Sequence, residues 1–247
     1  MTHTIYQIPV INLLWAMIPV VIVIIIYIRF SIGVSSVIYG LFRMLLQLVM
    51  IGYALNFIFN TRQPVIVLGI LCFMLFAASI IALRPVRKKR KSLYLKAFIS
   101  ISVGSVLTLI IVTQFVISIT PWFEPRYLIP LAGMIFANSM NAVSIGAERF
   151  EVEISRKNNY ISARYFALQA ALIPITNSLF AVGIVSLPGM MTGQILSGIS
   201  PLIASRYQIM VMCMIFGSAG ISSSVYLLLQ KKHHIKDDRT GDDEQIG

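Results

Sequence analysis

Arg43 and Gln47 stand four residues apart, and Asn138, Asn141 and Ser144 recur at intervals of three, all inside stretches that are otherwise apolar. At helical spacing each set falls on one face. A guanidinium with an amide one turn away can hold an anion or a polar solute, and a stripe of amides can replace part of an ion's water shell. Asn177 and Ser178 offer the same chemistry further along the chain. Each feature also has a plainer reading. Arg43 lies about five residues, roughly 7–8 Å of helix, from the end of its stretch, close enough for its head group to snorkel. Amides buried in lipid also serve as glue between helices. Met190 and Met191 are adjacent, and Met210 and Met214 share a face beside Cys213. Thioethers suit copper(I) and other soft metals, although methionine is equally ordinary filling in an apolar helix.

The missing groups exclude more than the present ones suggest. Asp and Glu total nine, and none falls at the centre of an apolar stretch; His3, His233 and His234 sit at the ends of the chain. A proton- or sodium-coupled carrier needs an ionisable group in the membrane to take up its driving ion. The chain also has no phosphate-binding Gly-x4-Gly-Lys-Ser/Thr loop, no His-Glu-x-x-His and no Cys/His cluster at metal spacing. It reads as a non-enzyme that binds no cofactor of its own, and any uphill transport must draw its energy from a partner.

The elements that must hold these residues are membrane helices. Apolar runs cover residues 7–28, 38–59, 65–83, 98–119, 127–146, 168–187 and 207–229. Most are about 20 residues long, the length an α-helix needs to cross roughly 30 Å of hydrocarbon. The expected fold is all-α, a polytopic membrane protein with about seven transmembrane helices. The basic residues orient it. Sixteen of the twenty Lys and Arg fall in alternate gaps and after the last run, three (Arg62, Arg126, Arg206) fall in the other gaps, and Arg43 lies within a run. By the positive-inside rule the N-terminus is outside and the C-terminus cytosolic.

Composition agrees. The hydrophobic fraction is 57% and the formal charge +11, with a mean hydropathy of +0.85. Soluble domains run near 45–50% apolar, so the positive charge reflects topology and does not imply nucleic acid. The Arg87-Lys88-Lys89-Arg90-Lys91 run belongs against anionic headgroups. The N-terminus lacks a basic n-region and its first apolar run is long enough to span, so it reads as a first helix and not as a cleaved leader. Cys72 and Cys213 fall within spans, so no disulfide is expected. The chain divides into a transmembrane domain, 1–230, and a polar tail, 231–247, expected to be disordered.

Apolar character continues from Leu168 to about Ile199, too long for one span and too short for two. A break after helix six is expected at Ser186-Leu187-Pro188-Gly189, with Met190, Met191 and Gly193 in a short re-entrant or interfacial helix beyond it. Gly189, Gly193 and Ser197 recur every four residues, a face suited to close helix approach. The break reads either as a gate lining a cavity or as a packing kink.

Several segments together resemble the FetB-type ABC transporter permease family. They are Arg43-x3-Gln47-Leu48-x3-Gly52-Tyr53, Lys96-Ala97-Phe98-Ile99-Ser100, Ile129-Pro130-Leu131-Ala132-Gly133-Met134-Ile135, Ala171-Leu172-Ile173-Pro174, Val185-Ser186-Leu187-Pro188-Gly189-Met190-Met191-Thr192-Gly193 and Tyr207-Gln208-Ile209-Met210-Val211. That bacterial family is linked to iron export, and its plant relatives to aluminium tolerance and nucleotide-sugar transport. The resemblance implies a permease subunit in the bacterial cytoplasmic (inner) membrane. Two copies would pair with two copies of a cytosolic ATPase that holds ATP and magnesium. It makes Arg43, Gln47, Asn138, Asn141 and Asn177 pathway candidates, and Ser186, Pro188, Gly189, Met190, Met191 and Gly193 gate candidates. Arg149, Arg156, Lys157, Tyr160 and Arg164 become the ATPase-docking loop. In that family the loop is longer and carries a Leu-Gly-Ala-type stretch that this chain lacks. The alternatives are therefore a non-transporting scaffold or sensor subunit, or a permease for a nucleotide sugar or other small solute.

Overall fold

The computed structural model describes residues 8–61, 63–86 and 90–231. Its helices are α1 (Leu13–Ala16), α2 (Ile18–Arg29), α3 (Ser35–Ile58), α4 (Pro64–Ala82), α5 (Arg90–Ile110), α6 (Pro125–Ser155), α7 (Tyr160–Ala181), α8 (Gly189–Leu196) and α9 (Pro201–Leu229). A π-helical turn, Ile111–Val116, continues α5. The protein is all-α, and the sole β pairing among the described residues is an isolated bridge between Val182 and Ser186. Among the described residues, five helical segments are long and apolar enough to cross a membrane: Ser35–Ile58, Pro64–Ala82, Leu93–Val116, Pro125–Ser155 and Pro201–Leu229. Leu13–Arg29 is a shorter apolar helix. The acidic tail, His3, Arg62 and most of the polybasic run lie outside the described residues.

The chain forms two compact units, Met1–Thr61 and Arg62–Gly247. In the first, neither α2 nor α3 has a buried residue. Ile, Leu, Val and Phe cover these helices on every side, the pattern of a segment solvated by hydrocarbon.

In the second unit α9 packs against α5, α6, α7 and α8, and α6 packs against α4, α5, α7 and α9. The buried face of α6 runs through Leu128, Leu131, Ala132, Ile135, Ser139, Ala142, Val143, Gly146 and Phe150, the three-and-four spacing of one helix side. Much of this seam is small, as is that of α9 (Ala204, Ser218, Ala219, Ser222, Ser223). Small residues let helices in lipid approach until van der Waals contact replaces the absent hydrophobic drive. The tightest approach is between α5 and α9. A Cβ on Gly104 would lie 2.2 Å from Ser222 Oγ and 2.8 Å from the Ser222 backbone nitrogen. Nothing lies within 4 Å of the corresponding positions at Gly189 and Gly193. The close contact expected at Gly189 and Gly193 is absent there, and the tight approach falls at Gly104.

Buried hydroxyls mostly satisfy themselves within their own helices. Ser79 donates to Leu75, Thr108 to Gly104, Thr113 to Leu109 and Ser223 to Ala219, each at 2.7–2.8 Å. These bonds keep the hydroxyls compatible with lipid. Ser105 instead reaches between helices, to the Ser139 hydroxyl at 3.2 Å.

Several helices extend past the apolar runs, α5 and α9 starting earlier, α6 ending later and α7 starting earlier. The helix begins at Tyr160 and not at Leu168, because Asn159 caps it by accepting from the Ser162 backbone N–H at 2.8 Å. It ends at Ala181, ahead of Pro188. The Ala181 carbonyl accepts from Val185 at 2.8 Å, Gly183 turns at a φ of +82°, and Pro188 then caps α8. Glycine carries that left-handed turn without the steric cost a Cβ would bring.

Candidate functional site

One face of α6 supplies the framework of the site. Arg126, Tyr127, Pro130, Met134, Asn138, Asn141 and Ile145 follow one another at intervals of one, three or four residues, and each lines one of three cavities. The first, about 240 Å³, is bounded by Arg126, Tyr127, Pro130, Met134, Met190, Tyr207 and Met210 among others. The second, about 340 Å³, is bounded by Met134, Asn138, Ser178, Ser186, Pro188, Gly189, Met190, Gln208 and Met212 among others. The third, about 100 Å³, lies between Asn138, Asn141, Ile145, Pro174 and Ser178. Met134 and Met190 border the first two, and Asn138 and Ser178 border the last two, so the cavities adjoin in series. From Arg126 to Ile145 the helix rises about 28 Å, close to the roughly 30 Å of a hydrocarbon core.

The middle cavity holds the residue that sequence reasoning missed. Gln208 on α9 is 5% exposed, and its Oε1 has no hydrogen-bond partner among the described residues. An unmet carbonyl in a buried place costs about 1–3 kcal/mol, and burying it deeper in lipid without a partner is worse. Gln208 is one of the residues that line the cavity. Asn138 lines the same cavity. Its Nδ2 donates to the Met134 carbonyl at 2.8 Å, which leaves Oδ1 as the atom available to accept from, or coordinate, an occupant. Ser178 donates to the Pro174 carbonyl at 3.0 Å, and its oxygen lone pairs remain. The signal for Gln208 was in the sequence, as an amide within the Tyr207-Gln208-Ile209-Met210-Val211 segment, but nothing there distinguished it from interhelical glue.

Of the residues expected from sequence, the structure gathers Asn138, Ser186, Pro188, Gly189 and Met190 around the middle cavity, with Asn141 at the third. The turn after α7 and the fold-back of α8 bring the last four to α6. Asn177 is exposed on α7, and its neighbour Ser178 takes the lining position. Met191 and Gly193 line none of the three cavities. Gly193 lies within α8, its carbonyl accepting from the Ser197 hydroxyl at 2.8 Å. Arg43, half-buried, and Gln47, exposed, belong to α3 in the first unit.

The expected docking loop is two helix ends joined by a tight turn. Arg149 lies in the last turns of α6, Tyr160 and Arg164 open α7, and Arg156 to Asn159 make the connection. Glu153, 2% exposed, organises it. Its carboxylate is 2.6 Å from Arg149 and 3.7 Å from Arg156, and it accepts from the Asn158 side chain. Lys157 N–H donates to Ile154 at 2.9 Å and Asn158 N–H to Glu153 at 3.2 Å, with Lys157 at a φ of +61°. This is the paired capping pattern that closes a helix through a left-handed residue. Beyond it, the Tyr160 hydroxyl donates to the Leu227 carbonyl at 2.9 Å, and its ring meets Phe150 edge-on and lies under Arg164. Lys96 donates to Gln230 at 2.8 Å. One end of the second unit is thereby tied together through α5, α6, α7 and the end of α9.

Among the described residues no group of three His, Cys, Asp or Glu side chains could hold a metal. Cys72 and Cys213 are free and exposed.

Comparison with known proteins gives a consistent picture. The model of a family described as "Uncharacterised protein family (UPF0014)" matches residues 10–166 and 162–235. The "UPF0014 membrane protein slr1647" of Synechocystis is 34% identical over 211 residues, covering 77% of this chain and 82% of that protein. The "Probable iron export permease protein FetB" of Escherichia coli is 31% identical over 214 residues, 80% of this chain and 81% of its own. "Protein ALUMINUM SENSITIVE 3" of Arabidopsis thaliana is 33% identical over 210 residues, 78% of this chain and 76% of its own. No solved structure matches the chain.

Proposed function

The chain belongs to the UPF0014 family of membrane proteins, and from that premise we propose that it is the membrane-spanning permease subunit of an ABC transporter that exports a metal ion. The observation that carries this reading is the series of cavities along α6, whose length approaches a hydrocarbon thickness and whose middle member contains an unmet buried amide. Likeness to the Escherichia coli protein named as an iron export permease supports a metal ion as the class of cargo. Glu148, Glu151 and Glu153 lie in the last turns of α6, and the apolar runs themselves hold no carboxylate or imidazole to take up a driving ion. Energy then comes from ATP and magnesium on a separate cytosolic ATPase.

In this reading Asn138, Asn141 and Gln208 belong to the path, and Ser186, Pro188, Gly189 and Met190 to the gate; Arg43 and Gln47 are candidates for solute contact within the first unit. Two copies of the chain sit in a bacterial cytoplasmic membrane with seven crossings each, N-terminus outside and C-terminus cytosolic. The α6–α7 end, held by Glu153 and Tyr160, receives the ATPase. Rigid ties there would carry a push on the turn into α6 and α9 together.

The test is reconstitution. The chain and a candidate ATPase, co-purified and placed in liposomes, should hydrolyse ATP faster with the exported metal than without it, and should move that metal. A chain that binds no ATPase would favour a scaffold or sensor role. One feature favours that second reading, the brevity of the Arg156-to-Asn159 turn, which projects little beyond the helix ends.

A further inference from the structure

We infer that the middle cavity is a binding site for a soft, singly charged cation, of the copper(I) or silver(I) class, held by thioethers and neutral oxygens. This rests on the reading of the cavities as a path, and it narrows the cargo. Three methionines line that cavity, Met134, Met190 and Met212. Met210 joins Met134 and Met190 around the adjoining one. The oxygen donors are Asn138, Ser178, Ser186 and Gln208, and the Gln208 Oε1 is buried without a partner. Neither cavity lining includes a carboxylate, a thiol or an imidazole; the middle cavity has no charged side chain, and the adjoining one has Arg126.

Charge decides which ion such a wall accepts. The cost of moving an ion from water into a low-dielectric interior grows with the square of its charge. A doubly charged ion would therefore face about four times the cost of a singly charged one, with no counter-charge to offset it. Iron(II), zinc and magnesium gain too little from neutral amides and thioethers to compensate. Thioether sulfur, by contrast, selects copper(I) through soft, polarisable bonding. Two methionines shared between adjoining cavities also let an ion pass from one to the next without losing all its ligands at once.

The test uses the full chain, purified in detergent with Cys72→Ser and Cys213→Ser so that exposed thiols do not compete. Copper(I) is titrated against a chromophoric copper(I) chelator under reducing conditions, and silver(I) and iron(II) are measured in parallel. The expected result is a copper(I) site that Met134→Leu with Met190→Leu weakens by at least about tenfold, the loss that even outer-shell substitutions bring. Met44→Leu with Met50→Leu, exposed on α3, should leave it unchanged. The leucine swaps nearly conserve volume and keep the fold, and Met212→Leu serves as a second variant should the pair fail to fold. Copper(I) affinity equal in the cavity variants and the parent would overturn the inference. So would iron(II) held as tightly as copper(I) and weakened by the same substitutions. Because the chain is tested without an ATPase, failure of the permease reading would leave this result standing, and the reverse.

Discussion

The Asn138 side chain donates to the Met134 carbonyl at 2.8 Å, one turn back along α6. Each of these two residues stands at a junction between adjoining cavities. The bond fixes the amide so that its carbonyl end, and not its N–H end, is the one available to an occupant. Asn138→Leu removes that end while keeping a half-buried apolar residue compatible with the helix. Metal efflux from cells should fall by about tenfold, a loss of about 1.4 kcal/mol of barrier discrimination. Asn177→Leu, on the exposed part of α7, should leave efflux within about twofold. Equal effects of the two substitutions would contradict the placement of the path along α6.

Gln208 separates stability from function. Its buried Oε1 is unmet, so Gln208→Leu should raise the stability of the empty protein by about 1 kcal/mol, within the usual range for relieving such a group. Transport should fall at the same time, the exchange expected where a strained site serves an activity. Thermal melting in detergent and efflux in cells measure the two sides. A variant that loses stability and keeps transport would make Gln208 a structural residue.

How much of this was legible in the sequence depends on which forces act alone. Hydropathy located the long helices, because a span of about 20 apolar residues is dictated by the bilayer and needs no knowledge of neighbours. The start of α7 was not legible in this way. Tyr160 to Ala167 is half polar, and the signal there is the Asn159 cap, a hydrogen bond and not an apolar run. Asn138, Ser186, Pro188, Gly189 and Met190 could each be picked out by residue type, but their meeting around one cavity required the fold-back of α8. Gln208 looks like any interhelical amide until the absence of a partner is seen. Gly104 gave no motif at all, since its counterpart is Ser222, 118 positions along the chain.

Gly104 makes a sharp packing test. An added methyl group would meet the Ser222 hydroxyl, which can rotate away, and also the Ser222 backbone nitrogen at 2.8 Å, which cannot. Gly104→Ala should therefore destabilise the second unit by about 1–3 kcal/mol. Ser222→Ala alone should be neutral or mildly stabilising, because its Oγ is buried without a partner. Combining them should recover part of the loss and not all, since the backbone clash remains. Denaturation of the three variants in one detergent measures this, and full recovery in the double variant would place the clash on the side chain alone.

Glu153 tests whether the α6–α7 end does more than cap a helix. Its buried carboxylate meets Arg149 and Arg156, both partly exposed, and hydrogen bonds to charged groups contribute about 1.5–3 kcal/mol. Glu153→Gln should cost stability near the lower end of that range, because both arginines can turn back to water. If the turn transmits force from an ATPase, the variant should also lose metal-stimulated ATP turnover out of proportion to its stability. Stimulation that falls only as far as the folded fraction falls would reduce Glu153 to a capping residue.

Lys157 supplies the last test, and its sign is opposite. Its φ of +61° holds a side-chain-bearing residue in the left-handed region, which costs roughly 1–2 kcal/mol for most residues and almost nothing for glycine. The paired bonds from the Lys157 and Asn158 N–H groups depend on that conformation and not on the lysine side chain. Lys157→Gly should therefore raise the melting temperature, by about 1 kcal/mol in stability, and Lys157→Val should lower it. If the lysine also docks an ATPase, the glycine variant will fold better and couple worse, so ATPase co-purification must be measured beside melting. A glycine variant that gains stability and keeps full co-purification assigns Lys157 to the turn alone, leaving Arg149, Arg156 and Arg164 as the basic groups there able to meet a partner.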